Sequence, residues 1–289
     1  MTRPFTLLLL FLGWLCPVYG QDTQPAADDI RQLSFTPGRT ATETAVQIGR
    51  SLLGRPYVAH TLETPGPERL IVQFRLFDCT TFLETTLALA LAWHELGDKK
   101  THSAHDAAFR SYLTRLRYRN GRIDGYASRL HYFSDWLRDN ERKGLLTDVT
   151  GDLGGMTVSK PVSYMTASPH KYPPLRDQAT YRQIAQTEAD LSRQSFRFIP
   201  KNQIRAIERN LREGDIIMLT AARPGLDMKH VGLVVWQNDR PHLLHASSEY
   251  GEVTITEQPL ADYVLYNRRL SGIRVARLRP QGLLTVQAN

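Results

Sequence analysis

Two spacings of apolar residues divide this chain. From residue 40 to about 97 they recur at helical intervals. One helix is predicted over about Thr42–Leu53, capped by Thr40 or Thr42 and stopped by Gly54. A second starts near Asp78 and stops at Gly97. Its positions 79, 82, 83, 86, 87, 90 and 91 share one face and read Cys, Phe, Leu, Thr, Leu, Ala, Leu. Leu89 and Trp93 lie on the other face, so this helix is apolar nearly all round and belongs inside a core. The connection between the two, residues 55–76, holds Pro56, Pro65 and Pro67 and reads as extended. From residue 211 to 279 the pattern changes to short β-rich runs separated by turn residues: Ile216–Thr220, Val231–Trp236, Leu243–Ala246, Val253–Thr256 and Ile273–Arg277. Residues 98–200 are mixed, with helices near 102–117 and 177–194, a turn at Asn120-Gly121 and an aromatic stretch at 126–136.

The first residues follow a different rule. Arg3, an apolar run from Leu7 to Leu15, and Val18 and Gly20 at the −3 and −1 positions make a signal peptide over residues 1–20. The run is too short to span a bilayer, so no stable membrane anchor is expected after cleavage, and the protein is expected to be exported. Leu15 before Cys16 argues against lipid attachment. Residues 21–39 are polar and broken by Pro and Gly, as in a linker or disordered tail, and residues 40–289 form a single domain with an insertion at about 98–200. The formal net charge of +7 and a pI near 9.5 suit an anionic polymer or a solvated basic surface. The scattered Arg110, Arg115, Arg117, Arg119 and Arg122 make no dense stripe, which with export argues against nucleic acid.

Composition then singles out one residue. The chain has two cysteines, and Cys16 lies in the segment to be removed. Cys79 is left as a lone thiol in the first turn of the apolar helix, behind the N-cap Asp78. There the helix dipole and free N–H groups favour a thiolate, and a nucleophile is expected rather than a small buried hydrophobe. A base must come from nine histidines. His102 and His105 are spaced i, i+3 on a polar helix and read as a solvated face rather than a metal pair, so no metal or other cofactor is expected. His230 opens an apolar strand, and Gly232 after it leaves room for close approach of another element. His245 would lie beside His230 if their strands pair as a hairpin across residues 237–242, and could orient it as the third member of a triad.

These strings form an ordered series: Gly54-Arg55-Pro56-Tyr57-Val58, Phe77-Asp78-Cys79, Glu213-Gly214-Asp215-Ile216, His230-Val231-Gly232 and His245-Ala246. The series resembles NlpC-type papain-like cell-wall hydrolases. Three stretches, 79–84, 124–136 and 245–248, resemble one branch, the N-acetylmuramoyl-L-alanine amidase-like family of exported bacterial proteins. The resemblance implies an α+β papain-like NlpC-type fold, with a central cysteine-bearing helix packed on an antiparallel sheet and a mixed, partly helical insertion. It implies Cys79 as nucleophile, His230 as general base and His245 as orienting residue, with Tyr57 beside the cysteine. The substrate would be peptidoglycan or muropeptides and the scissile bond an amide, with a periplasmic or cell-envelope location and a monomer favoured. The alternatives are a stem-peptide endopeptidase and a non-catalytic cell-wall binding module. Ala59-His60-Thr61 replaces the usual Trp-Gly-Gly after the tyrosine, and Thr80 replaces a serine, which fits a bond other than the stem-peptide one. Asp78, Tyr126, Ser128, Arg129 and His131 are candidate substrate contacts, with Tyr164, Ser168 and Lys171 weaker. The aromatic stretch serves equally well as a core plug, with Arg129 the side chain most suited to a carboxylate.

Overall fold

The computed structural model describes residues 33–97 and 101–279, so the signal-peptide reading lies outside the described residues. Helix α1 (Ala41–Ser51) is capped by the Thr40 side chain, which accepts from the Glu43 N–H. Helix α2 (Cys79–Leu96) carries a reciprocal capping box in which Asp78 accepts from the Thr81 N–H while the Thr81 hydroxyl accepts from the Asp78 N–H. Such a cap stabilises a helix by about 1 kcal/mol and fixes where its first residue sits. Phe82, Leu83, Leu87 and Leu91 are fully enclosed on α2, each contributing about 2 kcal/mol by leaving water. Helix α3 (His102–Arg117) packs against it.

The polypeptide then runs through α4 (Phe133–Arg142), β1 (Leu146–Asp148), β2 (Met156–Ser159), α5 (Gln178–Ser192) and β3 (Ser195–Pro200). Next come β4 (Ile216–Ala221), β5 (Met228–Gln237), β6 (Arg240–Ser247), β7 (Glu252–Ile255), α6 (Leu260–Tyr266) and β8 (Leu270–Leu278). Together the strands form one sheet in the order β2-β3-β8-β4-β5-β6-β7, with β1 also on β8, and all these pairings are antiparallel. Strand side chains alternate between two cores. Ile216, Met218, Val231, Leu233 and Leu244 face the helical core, whereas Ile217, Leu219, Val234, Leu243 and Ile273 face a second core with Leu260 and Val264 of α6.

Several expectations change here. Leu33 and Phe35 pack on the helical core, with the Phe35 ring 5.5 Å from that of Trp93, so the end of the expected tail is part of the body. The region 98–200 is not one appendage. Phe109, Leu113, Leu116 and Trp136 belong to the helical core, and only Tyr126, Tyr132, Val162, Met165, Leu175, Ile184 and Leu191 form a cluster of their own. His105 is buried against Trp93, ring centres 4.9 Å apart, because α3 turns that face inward; it is not on a solvated face. Among the described residues no group of three His, Cys, Asp or Glu could hold a metal ion, and no helix is long and apolar enough to cross a membrane.

Candidate active site

Strands β5 and β6 are joined by the turn Asn238-Asp239, both at positive φ (49° and 60°), which suits a tight two-residue hairpin. Their ladder runs from Gln237–Arg240 back to Leu233–Leu244 and stops. Beyond it β6 pairs only with β7, through Ser247. The two strands therefore part at the residues that matter. In this register the even residues of β5 turn their amides towards β4, as Val234 does with Asp215, and the odd ones turn towards β6. Val231 thus has no strand partner for its N–H, and that group favours the charged form of the Cys79 sulfur. The first residue of α2 sits at the mouth of the split.

A β-bulge precedes His230. The partner of β5 jumps from Leu219–His230 to Thr220–Met228, leaving Lys229 as the extra residue immediately before His230. His230 and His245 lie on one face of the sheet, and the His230 Nε2 is 2.5 Å from the His245 Nδ1. The two rings are nearly perpendicular, at 86°. Gly232 is what allows this approach, since a Cβ there would lie 2.9 Å from the His245 Cβ and 2.7 Å from the Leu244 carbonyl oxygen. His245 is fully buried, its ring against that of Tyr263, and its Nε2 has no hydrogen-bond partner among the described residues.

The electrostatics differ from what the helix dipole alone suggests. Burial pushes the Cys79 thiol up to about 12, and the Asp78 carboxylate adds to this; the Val231 N–H and the backbone and hydroxyl of Thr80 pull the other way without winning. Burial, with Lys229 beside it, lowers His230 to about 4, and burial holds His245 well below its usual value. Burial thus favours the neutral form of the Cys79 thiol and of the His230 imidazole, each on its own account, rather than the expected thiolate. Tyr57 stands beside this site. Its phenol is pushed up to about 12 by burial, then by Cys79 and Asp78, and bonds to the Ser248 side chain. The capping box uses the N–H groups of Asp78 and Thr81, which leaves the Cys79 N–H without an acceptor among the described residues.

The remaining candidates go elsewhere. Arg129 is 5 % exposed and pairs with Glu63 at 3.0 Å and Glu68 at 3.3 Å, while its Nη1 donates to the Leu62 carbonyl. Its charge is thus spent inside the protein, contrary to the expected role on a substrate carboxylate. The Tyr126 hydroxyl bonds to Glu63, the His131 Nε2 to the Tyr126 carbonyl, and the Ser128 hydroxyl donates to the Gly125 carbonyl. These four side chains plug the space between residues 62–69 and 124–132. Asp78 accepts from Thr61 and Thr81, which fixes its carboxylate at the helix cap. Ser168 is buried, whereas Tyr164 lies under Lys171 and Arg223, whose charged ends are 5.5 and 4.9 Å from its ring centre.

The family model described as AmiA-like, N-acetylmuramoyl-L-alanine amidase-like, matches residues 47–273. The chain belongs to the N-acetylmuramoyl-L-alanine amidase-like family. Solved structures agree with this family. An N-acetylmuramoyl-L-alanine amidase from Bacteroides uniformis ATCC 8492 is 35 % identical, with a TM-score of 0.76 over 83 % of this chain and 99 % of that one. A protein from Bacteroides fragilis described as a putative xylanase is 38 % identical, with a TM-score of 0.74 over 79 % of this chain and 98 % of that one. A Legionella pneumophila protein shares the fold at 22 % identity, with a TM-score of 0.64 over 83 % of this chain and 90 % of that one. Among curated proteins nothing matches.

In this amidase-like chain the sequence alone did not point to Val231, Thr61, Ser248 or Tyr263. What Val231 brings near Cys79 is its backbone, which carries no side-chain signal. Thr61 reaches Asp78 across a connection whose path is set by tertiary contacts. Tyr263 is reached only when α6 folds onto the second core.

Proposed function

We propose that this protein is an exported, cysteine-dependent peptidoglycan hydrolase of papain-like NlpC type that cleaves the amide between N-acetylmuramic acid and L-alanine. The observation that carries this reading is the parted β5–β6 ladder, with His230 held 2.5 Å from His245 where the strands separate. With Nε2 engaged by His245, the Nδ1 of His230 is the atom that exchanges a proton with the thiol. For that, Nε2 must carry hydrogen and donate to the His245 Nδ1, so His245 carries its own proton on Nε2.

As the sulfur bonds to the amide carbon, the thiol proton passes to the His230 Nδ1. Transfer is coupled to attack because the resting pair is neutral. The Cys79 N–H faces the oxygen on which charge develops. The carbon–nitrogen bond then breaks, and His230 gives its proton to the leaving amine of L-alanine. Water, deprotonated by the same nitrogen, hydrolyses the thioester and restores the thiol.

Two other readings meet specific obstacles. A stem-peptide endopeptidase of the NlpC type would carry Trp-Gly-Gly after the tyrosine and a serine after the cysteine, and this chain has Ala59-His60-Thr61 and Thr80 there. A xylanase needs two carboxyl groups flanking the bond, whereas the groups gathered here are a thiol, two imidazoles and a phenol. Digestion of purified peptidoglycan with fragments identified by mass tests the proposal. Intact stem peptides freed from glycan support it, and cuts within the stem or between sugars overturn it.

A further inference from the structure

One cavity reaches the chain neighbour of His230 without being part of the machinery above. It has a volume of about 530 Å³ and is lined by Tyr164, Arg223, Leu226, Lys229, Arg268 and Arg269, with the backbone of 221–222. Lys229 of its lining is the bulge residue covalently next to His230. Lys171 adds a further cation over the Tyr164 ring. The wall is built rather than incidental. Lys160 donates to the Ala221 carbonyl, the Ser163 N–H donates to the Gly225 carbonyl at 2.9 Å, and Val162 bridges Gly225, which pins the segment bearing Tyr164 against the loop bearing Arg223.

The charges here are uncompensated. Arg117, Arg129, Arg240, Arg274 and Arg277 each meet a carboxylate. Arg223, Lys229, Arg268 and Arg269 meet none among the described residues, and Arg223 has only the Tyr164 ring. The nearby carboxylate of Asp227 is buried and turned away, accepting from the N–H groups of Ser134 and Met228. Like charges gathered round one cavity repel unless an anion joins them.

We propose that this cavity is the subsite for a carboxylate-bearing peptide, and that Arg223, Lys229, Arg268 and Arg269 select the acidic form of the stem peptide over its amidated form. The inference rests on the proposed amidase reading for the identity of that peptide. Guanidinium groups recognise carboxylates by paired hydrogen bonds. A stem peptide carries carboxylates on the side of the scissile bond that leaves as the amine, so this cavity would hold the leaving part.

The test is a calorimetric titration of the Cys79→Ala protein, which binds without turnover. The probes are N-acetylmuramoyl-L-alanyl-D-glutamate with both carboxyl groups free and the same molecule with both as carboxamides. We expect the Arg223→Gln/Arg269→Gln double substitution to weaken the acid about tenfold or more and the diamide less than twofold. Both arginines are exposed, so an unchanged melting temperature will exclude misfolding. Equal losses for both probes, no loss, or no binding by the parent would overturn the subsite. Digestion with the unsubstituted enzyme reports separately on the amidase reading. Carboxylate-selective binding without cleavage would leave the subsite standing and remove that reading, and cleavage with charge-blind binding would do the reverse.

Discussion

The Glu63–Glu68–Arg129–Tyr126 cluster and the Cys79–His230–His245 cluster are both largely buried and both polar, and they are built on opposite terms. The first sets one cation between two carboxylates, adds a phenol and a carbonyl, and ties a proline-rich connection to residues 124–132. The second carries no charge at rest, leaves the His245 Nε2 and the Cys79 N–H without partners, and occupies a break in a ladder. Both clusters hold buried nitrogens without a hydrogen bond, Arg129 Nε and Nη2 in the first and His245 Nε2 in the second, so what separates them is charge. The difference separates an arginine whose charge is balanced inside the protein from a thiol and two imidazoles held neutral by burial.

The widest separation comes from removing one member of each cluster. Cys79→Ala is expected to lower release of stem peptides from peptidoglycan at least ~10⁴-fold while the melting temperature stays within a few degrees. Arg129→Met should do the reverse. It leaves Glu63 and Glu68 facing each other with no cation, which costs about 3–5 kcal/mol of stability in chemical denaturation, while the folded fraction keeps its specific activity. An Arg129→Met enzyme that is stable but inactive would place Arg129 back on the substrate.

A finer test acts inside the second cluster. Gly232→Ala puts a methyl 2.9 Å from the His245 Cβ, and kcat should fall about 10–100-fold as the His230–His245 contact opens, with KM little changed. Acid should then act on both clusters together. His131 is held at about 3 and His230 at about 4, mainly by burial, and His245 also lies low, so the unfolded chain binds protons that the folded one refuses. Stability is full above the ordinary histidine value near 6.5 and is lost as pH falls from there towards 4; thermal scans at pH 7 and 4.5 should differ by roughly 5–10 °C. The smallest effect is on rate against pH. A neutral pair predicts kcat/KM flat from about pH 5 to 9, dropping as His230 protonates near 4, and iodoacetamide labelling of Cys79 that keeps accelerating above pH 9. A bell centred on neutrality would restore the ion pair.

Local signals carried much of the site. Asp78 before a long apolar run and Gly97 after it mark a helix expected from Asp78 and found at Cys79–Leu96. The helix expected at 102–117 is found at those residues, and His230, Gly232 and His245 fall where alternation and a hairpin turn put them. The strands β1, β2 and β3 escaped because they are short and take their pairing from β8 or from one another rather than from their own alternation. Helix α4 was hidden in an aromatic stretch, since Asp135 is a polar residue whose partner, Arg119, becomes a neighbour only after folding. The thiol was misjudged for a related reason. The dipole is a property of one helix, whereas burial and the Asp78 carboxylate act through the assembled site. Arg129 failed the same way, because nothing local announces that Glu63 and Glu68 will come to it.

The neutral resting state of Cys79 has a chemical consequence for its durability. Peroxides and disulfides attack thiolates far faster than thiols, and a cysteine without a second one nearby has no disulfide to retreat into. A sulfur kept protonated until an amide carbonyl arrives offers oxidants little to attack between turnovers. Such a nucleophile can persist in oxidising surroundings where a standing thiolate would be consumed.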